Sequence, residues 1–340
     1  MASRIYPTNN IEGGEVLALT SISRACVGAL ILLGIGPRLA SAAVGDSVAC
    51  PSALTQDIPP RQASAPDGSD FAAQVASDDP QHREAAIERE ILQGNLPRFL
   101  HWLRPVRLRA ELPSGRTITA TICVMPDYLS IGTDRDFLRI PMNLHTATAI
   151  TTRFRFVLPT RKMVDAIYRQ SDIHLSPQPM PAGPQMRSTA YYVRHNHTIT
   201  QQIDALGIPL GALISGDKKD VVISNRLASH PGQIAIYGWH KPDGRPIQPL
   251  STVHGANYAD YSHGIRLVSD MMYIDGKPTS VHRVLENPEL APILSDEGPV
   301  EVLSQLIPEP TQVAGMEPAA QDPTHHADAG RGESPHSPAL

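Results

Sequence analysis

The chain has 340 residues, of which 41% are hydrophobic and 19% charged, a balance typical of a globular protein with a sizeable core. Its formal net charge of −5 at pH 7 gives no overall basic bias, which argues against nucleic acid as a partner. The length predicts one large domain or two small ones, at the usual size of about 150 residues per domain.

The N-terminal segment has the pattern of a secretory signal peptide. Arg24 precedes 12 uncharged residues, 25–36, a length that fits the apolar part of a signal and is too short to span a bilayer. Small residues follow in an Ala-x-Ala pattern, so cleavage is expected after Ala42. A buried core helix is the alternative interpretation. We predict that residues 1–42 are a signal peptide and that the mature chain is periplasmic or secreted, with no membrane span after cleavage.

Three cysteines occur in the chain. Cys26 lies within the predicted signal and would be lost on cleavage, which leaves Cys50 and Cys123. Two cysteines in an oxidising compartment can form a disulfide. Neither belongs to a C-x-x-C motif or a metal-type cluster, so the sequence does not predict a cysteine-based zinc site.

Local signals predict the elements in chain order. Residues 43–78 are rich in Ala, Ser, Pro, Asp and Gln, a composition that predicts a disordered leader. A helix is then predicted with Asp79 as its N-cap, proline at its first position and Gly94 just beyond its end. Further helices are predicted from periodicity and caps at 144–154, 160–170, 198–206 and 288–294.

Short β-rich runs alternate with turn residues over the rest of the chain. Asp243-Gly244 is a hairpin turn signal, and the proline-rich residues 176–184 predict either a rigid surface connector or a substrate lid. Residues 265–268 and 271–274 predict a pair of strands or a strand and a helix. The remaining predicted strands are 106–112, 117–124, 128–132, 136–140, 219–224 and 233–239.

Predicted helices and strands do not alternate regularly, which favours an α+β fold. We expect a single mixed domain, residues 79–308, with antiparallel β-hairpins and several short helices. From about residue 309 the chain is rich in Pro, Ala, His, Gly and Ser, which predicts a disordered tail over residues 309–340.

Residues 237–266 carry the strongest functional signal in the sequence. Acid–base side chains and glycines are dense there and apolar core residues are sparse, whereas an ordinary surface loop would not also carry several aromatic residues. The predicted catalytic residues are His254, Asp260, Ser262 and His263. The predicted substrate-binding residues are Lys218, Trp239, His240, Tyr258 and Arg266.

Three mechanisms fit this set of residues. In the first, Ser262 is the nucleophile with a histidine as base and Asp260 as orienter, although the chain has no G-x-S-x-G elbow. In the second, His195 and His197 lie at alternate positions of a strand and therefore on one face of it. They bind a divalent metal such as zinc together with side chains of residues 237–266. In the third, a histidine pair performs acid–base work without metal, which the ordinary imidazole pKa of about 6.5 suits.

His195, His197 and Lys218, which lie outside residues 237–266, also have interpretations that involve no function. The two histidines of the H-x-H pattern can equally lie exposed in a loop that enters a helix, and Lys218 can belong to a charged turn before a strand.

Two short segments resemble enzymes of the cell envelope. Residues 254–267 resemble the Ser-His-Gly-Cys signature of the L,D-transpeptidases over 14 residues, but Ile265 replaces the nucleophilic cysteine. Residues 251–260 resemble the zinc motif of the D-alanyl-D-alanine peptidases, with a spacing from His254 to Asp260 that is one residue shorter. The first departure implies that the chain is not a working transpeptidase, and both resemblances point to the cell envelope.

We therefore expect an exported hydrolase that acts on a cell-envelope or extracellular polymer or peptide. The alternative is a non-catalytic periplasmic protein that binds a glycan or peptide. Geometry discriminates between them, because catalysis requires two of the histidines within reach of one point.

Overall fold

The computed structural model describes residues 49–300, in which short helices and mainly antiparallel strands follow one another irregularly. The α-helices of this range are α1 (Gly68–Gln74), α2 (Pro80–Leu92), α3 (Leu144–Phe154), α4 (Arg161–Gln170), α5 (Thr189–Ala205), α6 (Arg226–Ser229) and α7 (Val281–Glu286). The strands are β1 (Arg104–Glu111), β2 (Thr117–Val124), β3 (Ser130–Gly132), β4 (Phe137–Arg139), β5 (Phe156–Val157), β6 (Ile173–His174), β7 (Ile214–Ser215), β8 (Lys219–Val222), β9 (Gln233–His240), β10 (Pro246–Gly255), β11 (His263–Gly264), β12 (Val268–Ile274) and β13 (Lys277–Ser280). Short 3-10 helices cover Ser52–Thr55, Arg98–His101, Pro184–Arg187 and Ala291–Ile293.

Two sheets form the framework of these residues. The larger has the strand order β1-β2-β12-β13, with β5 also paired to β12, and its pairs are antiparallel. The smaller has the order β10-β9-β8-β11, in which only the β8–β11 pair is parallel. Two-stranded pairs join β3 to β4 and β6 to β7. The predicted α+β fold with antiparallel hairpins is confirmed.

The hairpin β1–β2 shows how the sequence builds the larger sheet. Its register runs without a break from Arg104 opposite Val124 to Glu111 opposite Thr117. Along β1, Val106 and Leu108 are buried while the arginines between and after them are exposed, as expected when successive side chains point to opposite faces. The predicted strands 106–112 and 117–124 are thus present as a hairpin, and its apolar face joins the main core.

Three predicted helices begin at polar caps, of which Asp79 and Thr160 were expected from the sequence. The Asp79 carboxylate accepts from the backbone N–H groups of Gln81 and His82 at the start of α2. Asn143 caps α3, and the Thr160 hydroxyl caps α4 by accepting from the N–H of Met163. Each cap satisfies N–H groups that the helix itself leaves without a partner. The N-termini of these helices can therefore be predicted from the sequence.

The predicted disordered leader is wrong for residues 49–78. Cys50 and Cys123 form a disulfide with a Cα–Cα distance of 5.7 Å, which joins this segment to β2. Ile58, Phe71 and Val75 are buried in the main core, and Phe71 lies on α1. A few apolar anchors and one covalent link therefore order a segment whose composition is otherwise polar and small. The predicted signal peptide, the rest of the leader and the predicted tail lie outside the described residues.

The structure corrects several element boundaries. The helix predicted at 198–206 is α5, which begins at Thr189, so the H-x-H pattern lies on a helix and not on a strand. Residues 265–274 do not form two elements, because Val268–Ile274 is one strand. The last helix is α7, and residues 288–294 contain only a 3-10 helix. Within residues 49–300 we find no helix of the length and apolarity that a membrane crossing requires.

Candidate functional site

The parallel pair β8–β11 assembles the candidate site. His263 lies opposite Lys219 in the register, and the Lys219 N–H donates to the Ser262 carbonyl at 2.8 Å. Gly264 permits this close approach, since a Cβ at that position would lie 2.8 Å from the Cβ of Lys218. Two segments that are distant in sequence, 217–219 and 260–263, are thereby placed side by side.

An imidazole and a carboxylate form the buried centre of the site. His263 is fully buried, and neither of its ring nitrogens has a hydrogen-bond partner among the described residues. Burial lowers the pKa of His263 to about 4, although Asp260 opposes the shift. The imidazole is therefore neutral at pH 7.

Asp260 is also buried, but its oxygens are well satisfied. One oxygen accepts from the Ser262 N–H at 2.8 Å and from the Ser262 hydroxyl at 2.6 Å, and the other accepts from the Tyr258 hydroxyl at 3.0 Å. Burial alone raises the pKa of Asp260, but His263 and the bonds from Ser262 outweigh burial, so the pKa lies below its ordinary value. The carboxylate is ionised at neutral pH.

A stacked pair of rings forms the solvent-facing part of the site. The rings of His254 and Tyr258 are 4.1 Å apart and inclined by 9°, and both side chains are partly exposed. Their centroids lie 6.5 Å and 5.7 Å from the buried His263 ring. Burial lowers the pKa of His254, and burial with the Asp260 charge raises that of Tyr258 to about 12. Both groups are therefore neutral at pH 7.

Two cations border this pair. The Lys219 ammonium lies 5.3 Å from the Trp239 ring centroid, and the Arg187 guanidinium lies 5.2 Å from that of Tyr258. Burial lowers the pKa of Lys219, and Asp260 opposes the shift. Neither cation forms an ion pair with a carboxylate of residues 49–300.

A second group of buried polar side chains lies behind the first. The Lys218 ammonium donates to the Tyr261 carbonyl at 2.7 Å and lies 3.3 Å from Nδ1 of His195. Burial lowers the pKa of Lys218 to about 7, against the opposing charge of Asp217. The Asp217 carboxylate has no hydrogen-bond partner among the described residues, and burial raises its pKa to about 6.

The backbone is also unusual at this end of β9. Trp239 has a φ of 54°, in the left-handed region that bulky residues rarely adopt, and its indole N–H is buried without a partner. Native proteins leave few buried polar atoms unpaired, so the concentration of such atoms on Asp217, Trp239 and His263 makes this region the candidate functional site.

The structure separates some predicted site residues from this cluster. Arg266 is buried, stacks over Tyr128 and donates to the carbonyls of Met125 and Ile214, so its guanidinium is bonded within the protein and lies apart from this cluster. The predicted role of His240 is also not supported, since its Nε2 lies 3.1 Å from Asp165 in a different cluster.

The predicted sharing of a metal by His195 and His197 is not supported by their positions. Successive helical residues are rotated by about 100° about the axis, so an i, i+2 pair on α5 diverges. His195 is fully buried, whereas His197 is exposed. Among residues 49–300 we find no group of three or more His, Cys, Asp or Glu residues with the geometry of a metal site.

The predicted serine nucleophile is not supported by its contacts. The Ser262 hydroxyl is fully buried and donates to Asp260, whereas a serine nucleophile requires a histidine base on its hydroxyl. Ile265, at the position of the transpeptidase cysteine, is a buried core residue. The two cations Lys219 and Arg187 were missed, because the sequence signal of adjacent lysines pointed to Lys218 and nothing local marked Arg187.

Comparisons with protein-family models, curated proteins and solved structures found no match to this chain. The function is therefore inferred from the chemistry of the side chains at the site.

Proposed function

We propose that the chain is an exported hydrolase of a cell-envelope or extracellular polymer, with His254, His263 and Asp260 as its acid–base groups. The observation that carries this proposal is the fully buried His263, with two unpaired ring nitrogens, beside Asp260 and 6.5 Å from the ring of His254. A separation of 6.5 Å between ring centroids is the distance at which one bridging atom can hydrogen-bond to both rings, as acid–base catalysis requires.

Energetics support a functional role for His263. An unpaired buried polar atom costs about 1–3 kcal/mol, and an apolar side chain of similar size avoids that cost. A purely structural position would therefore favour leucine or phenylalanine over histidine. A neutral imidazole, however, offers one hydrogen-bond donor and one acceptor to a reacting group, which neither apolar side chain does.

The proton path begins at the accessible histidine. Neutral His254 removes a proton from a water molecule as the water oxygen forms its bond to the reacting atom of the polymer. The Asp260 charge stabilises the resulting imidazolium, since it raises the pKa of His254. His254 then transfers that proton to the leaving group as the polymer bond breaks, which restores the neutral base. His263, neutral at pH 7, hydrogen-bonds the reacting group from the buried side of the site, and the proton itself travels only through His254.

Features outside the site support the compartment. The Cys50–Cys123 disulfide is of the kind that forms and persists in oxidising environments. Together with the signal-peptide pattern and the two envelope-enzyme resemblances, it supports a substrate outside the cytoplasm.

The test is hydrolysis by the mature chain of purified peptidoglycan and of acidic and neutral polysaccharides, measured as new amines and new reducing ends. His254→Ala and His263→Ala should each abolish release, while the melting temperature stays close to that of wild type. His145→Ala, which changes an exposed histidine on α3, is the matched control and should retain full activity. Equal activity in all variants, or loss of fold in place of activity, overturns the proposal.

One observation favours a second candidate, a periplasmic protein that binds a glycan or peptide without cleaving it. The partly exposed His254–Tyr258 stack offers a flat face of the kind on which sugar rings and peptide side chains pack. Saturable binding of a polymer fragment, lost in Tyr258→Ala and accompanied by no release of new ends, would favour this candidate.

A further inference from the structure

We infer that the substrate carries an anionic group, a carboxylate or a phosphate, which binds between Lys219 and Arg187. This inference rests on the proposed function only in that the site must bind a substrate. It replaces Lys218 and Arg266, the cations that the sequence suggested for the role.

Lys219 is a cation without a counter-ion. Its ammonium is half-buried against the Trp239 ring, and burial lowers its pKa. Its acidic neighbour Asp260 already accepts three hydrogen bonds from Tyr258 and Ser262. Arg139, for comparison, is buried and paired with Asp127 at 2.6 Å, whereas Lys219 has no such ion pair within residues 49–300. A bound anion would supply the partner that Lys219 lacks.

Arg187 presents a second cation without an ion pair, at the Tyr258 ring of the stack. It ends the 3-10 helix Pro184–Arg187, and its guanidinium lies over the Tyr258 ring. Its Nε is buried and has no hydrogen-bond partner among the described residues. The planar guanidinium suits paired hydrogen bonds to two oxygens of one carboxylate or phosphate.

The charges that surround the stack favour an anion. The charged side chains that act on His254 and Tyr258 are Asp260, Lys219 and Arg187, one negative and two positive groups. Both histidines are neutral at pH 7, so the accessible part of the site has a net positive charge in a chain whose overall charge is −5. A locally positive site on an acidic protein attracts and orients anionic ligands.

Two small probes test the inference on the mature chain at fixed ionic strength. Inorganic phosphate and acetate are titrated separately while the ring-proton NMR signals of His254, identified with His254→Ala, are followed. We expect a saturable shift with at least one probe. Its Kd should rise about tenfold or more in Lys219→Gln and in Arg187→Gln, the loss typical of a charged hydrogen bond.

Matched variants separate this effect from general charge or folding. Lys219→Arg keeps the charge and should restore binding, whereas Lys241→Gln and Arg194→Gln remove exposed cations elsewhere and should bind as wild type. A response to phosphate alone indicates a phosphodiester polymer, and a response to acetate indicates a carboxylated one. The absence of a saturable shift with either probe, or equal Kd values in wild type and the Lys219→Gln/Arg187→Gln double variant, overturns the inference.

Failure of the inference differs from failure of the proposed function. Anion binding that depends on both cations, with no polymer cleaved, would leave the inference standing and remove the hydrolase. Equal cleavage of a polymer by wild type and by the double variant would remove the inference and leave the hydrolase.

Discussion

Replacement of His263 by leucine should stabilise the protein and abolish its activity. The imidazole is fully buried, and its two ring nitrogens are unpaired. Each such atom costs about 1–3 kcal/mol, while leucine is similar in bulk and has no polar atoms. After allowance for imperfect packing, we expect the free energy of unfolding at pH 7 to rise by about 1–2 kcal/mol. The melting temperature should then rise by about 2–8 °C.

The increase in the free energy of unfolding that His263→Leu produces should become larger as the pH falls. Burial lowers the pKa of His263 to about 4 from the ordinary value of 6.5. Below about pH 6.5 the unfolded chain therefore binds a proton that the folded chain does not bind until about pH 4, and wild-type stability declines across that window. At pH 5 this one group lowers the wild-type free energy of unfolding by about 2 kcal/mol, and the His263→Leu protein does not have this loss.

Thermal unfolding at pH 7 and pH 5, followed by circular dichroism, measures both effects. His195→Leu is the matched control, because His195 is equally buried but its Nδ1 lies 3.3 Å from the Lys218 ammonium. Its replacement leaves that buried amine with one partner fewer and should lower the melting temperature at pH 7. A His263→Leu protein less stable than wild type by more than about 1 kcal/mol at pH 7 would refute the reasoning, since it would mean that the imidazole is bonded.

Three further predictions concern the Cys50–Cys123 disulfide, His254 as the general base, and Ser262. Reduction of Cys50–Cys123, separated by 73 residues, should lower the free energy of unfolding by about 4 kcal/mol and expose residues 49–78 to protease; an unchanged digestion pattern would contradict this. Because burial lowers the pKa of His254 and the base must be neutral, kcat/KM should decline only below about pH 6.5, and a decline that begins above pH 7 would exclude His254 as the base. Ser262→Ala should keep most of kcat, because the hydroxyl supports Asp260; a loss of about 10⁴-fold would identify Ser262 as a nucleophile after all.

The helices that could be predicted are those whose ends are fixed by local chemistry. Asp79 and Thr160 satisfy backbone groups two or three residues away, so the chain segment alone contains the signal. Strand β10 was missed because it lies at the edge of its sheet, where Pro246 and Pro249 are tolerated and Val253 is exposed. Residues 49–78 were misassigned because composition does not show a covalent link to a distant strand.

The site was predictable to the extent that it is contiguous in sequence. His254, Asp260 and His263 belong to one short segment, and the structure keeps them together. The density of polar residues does not show which way each side chain points, and the structure places the contacts of His240 and Arg266 outside the cluster. Lys219 and Arg187 enter the site only through the tertiary packing of β8 and the start of α5, which no local pattern encodes.

The buried contact between Lys218 and His195 has a consequence for the distance between the two cations of the site. Arg187 lies two residues before the first residue of α5, the helix that carries His195, and Lys219, the first residue of β8, directly follows Lys218. The Lys218–His195 contact of 3.3 Å therefore joins α5 to the residue next to Lys219. Replacement of either residue of this buried pair should therefore change the distance between Lys219 and Arg187, and with it the size of anion that both can bind at once.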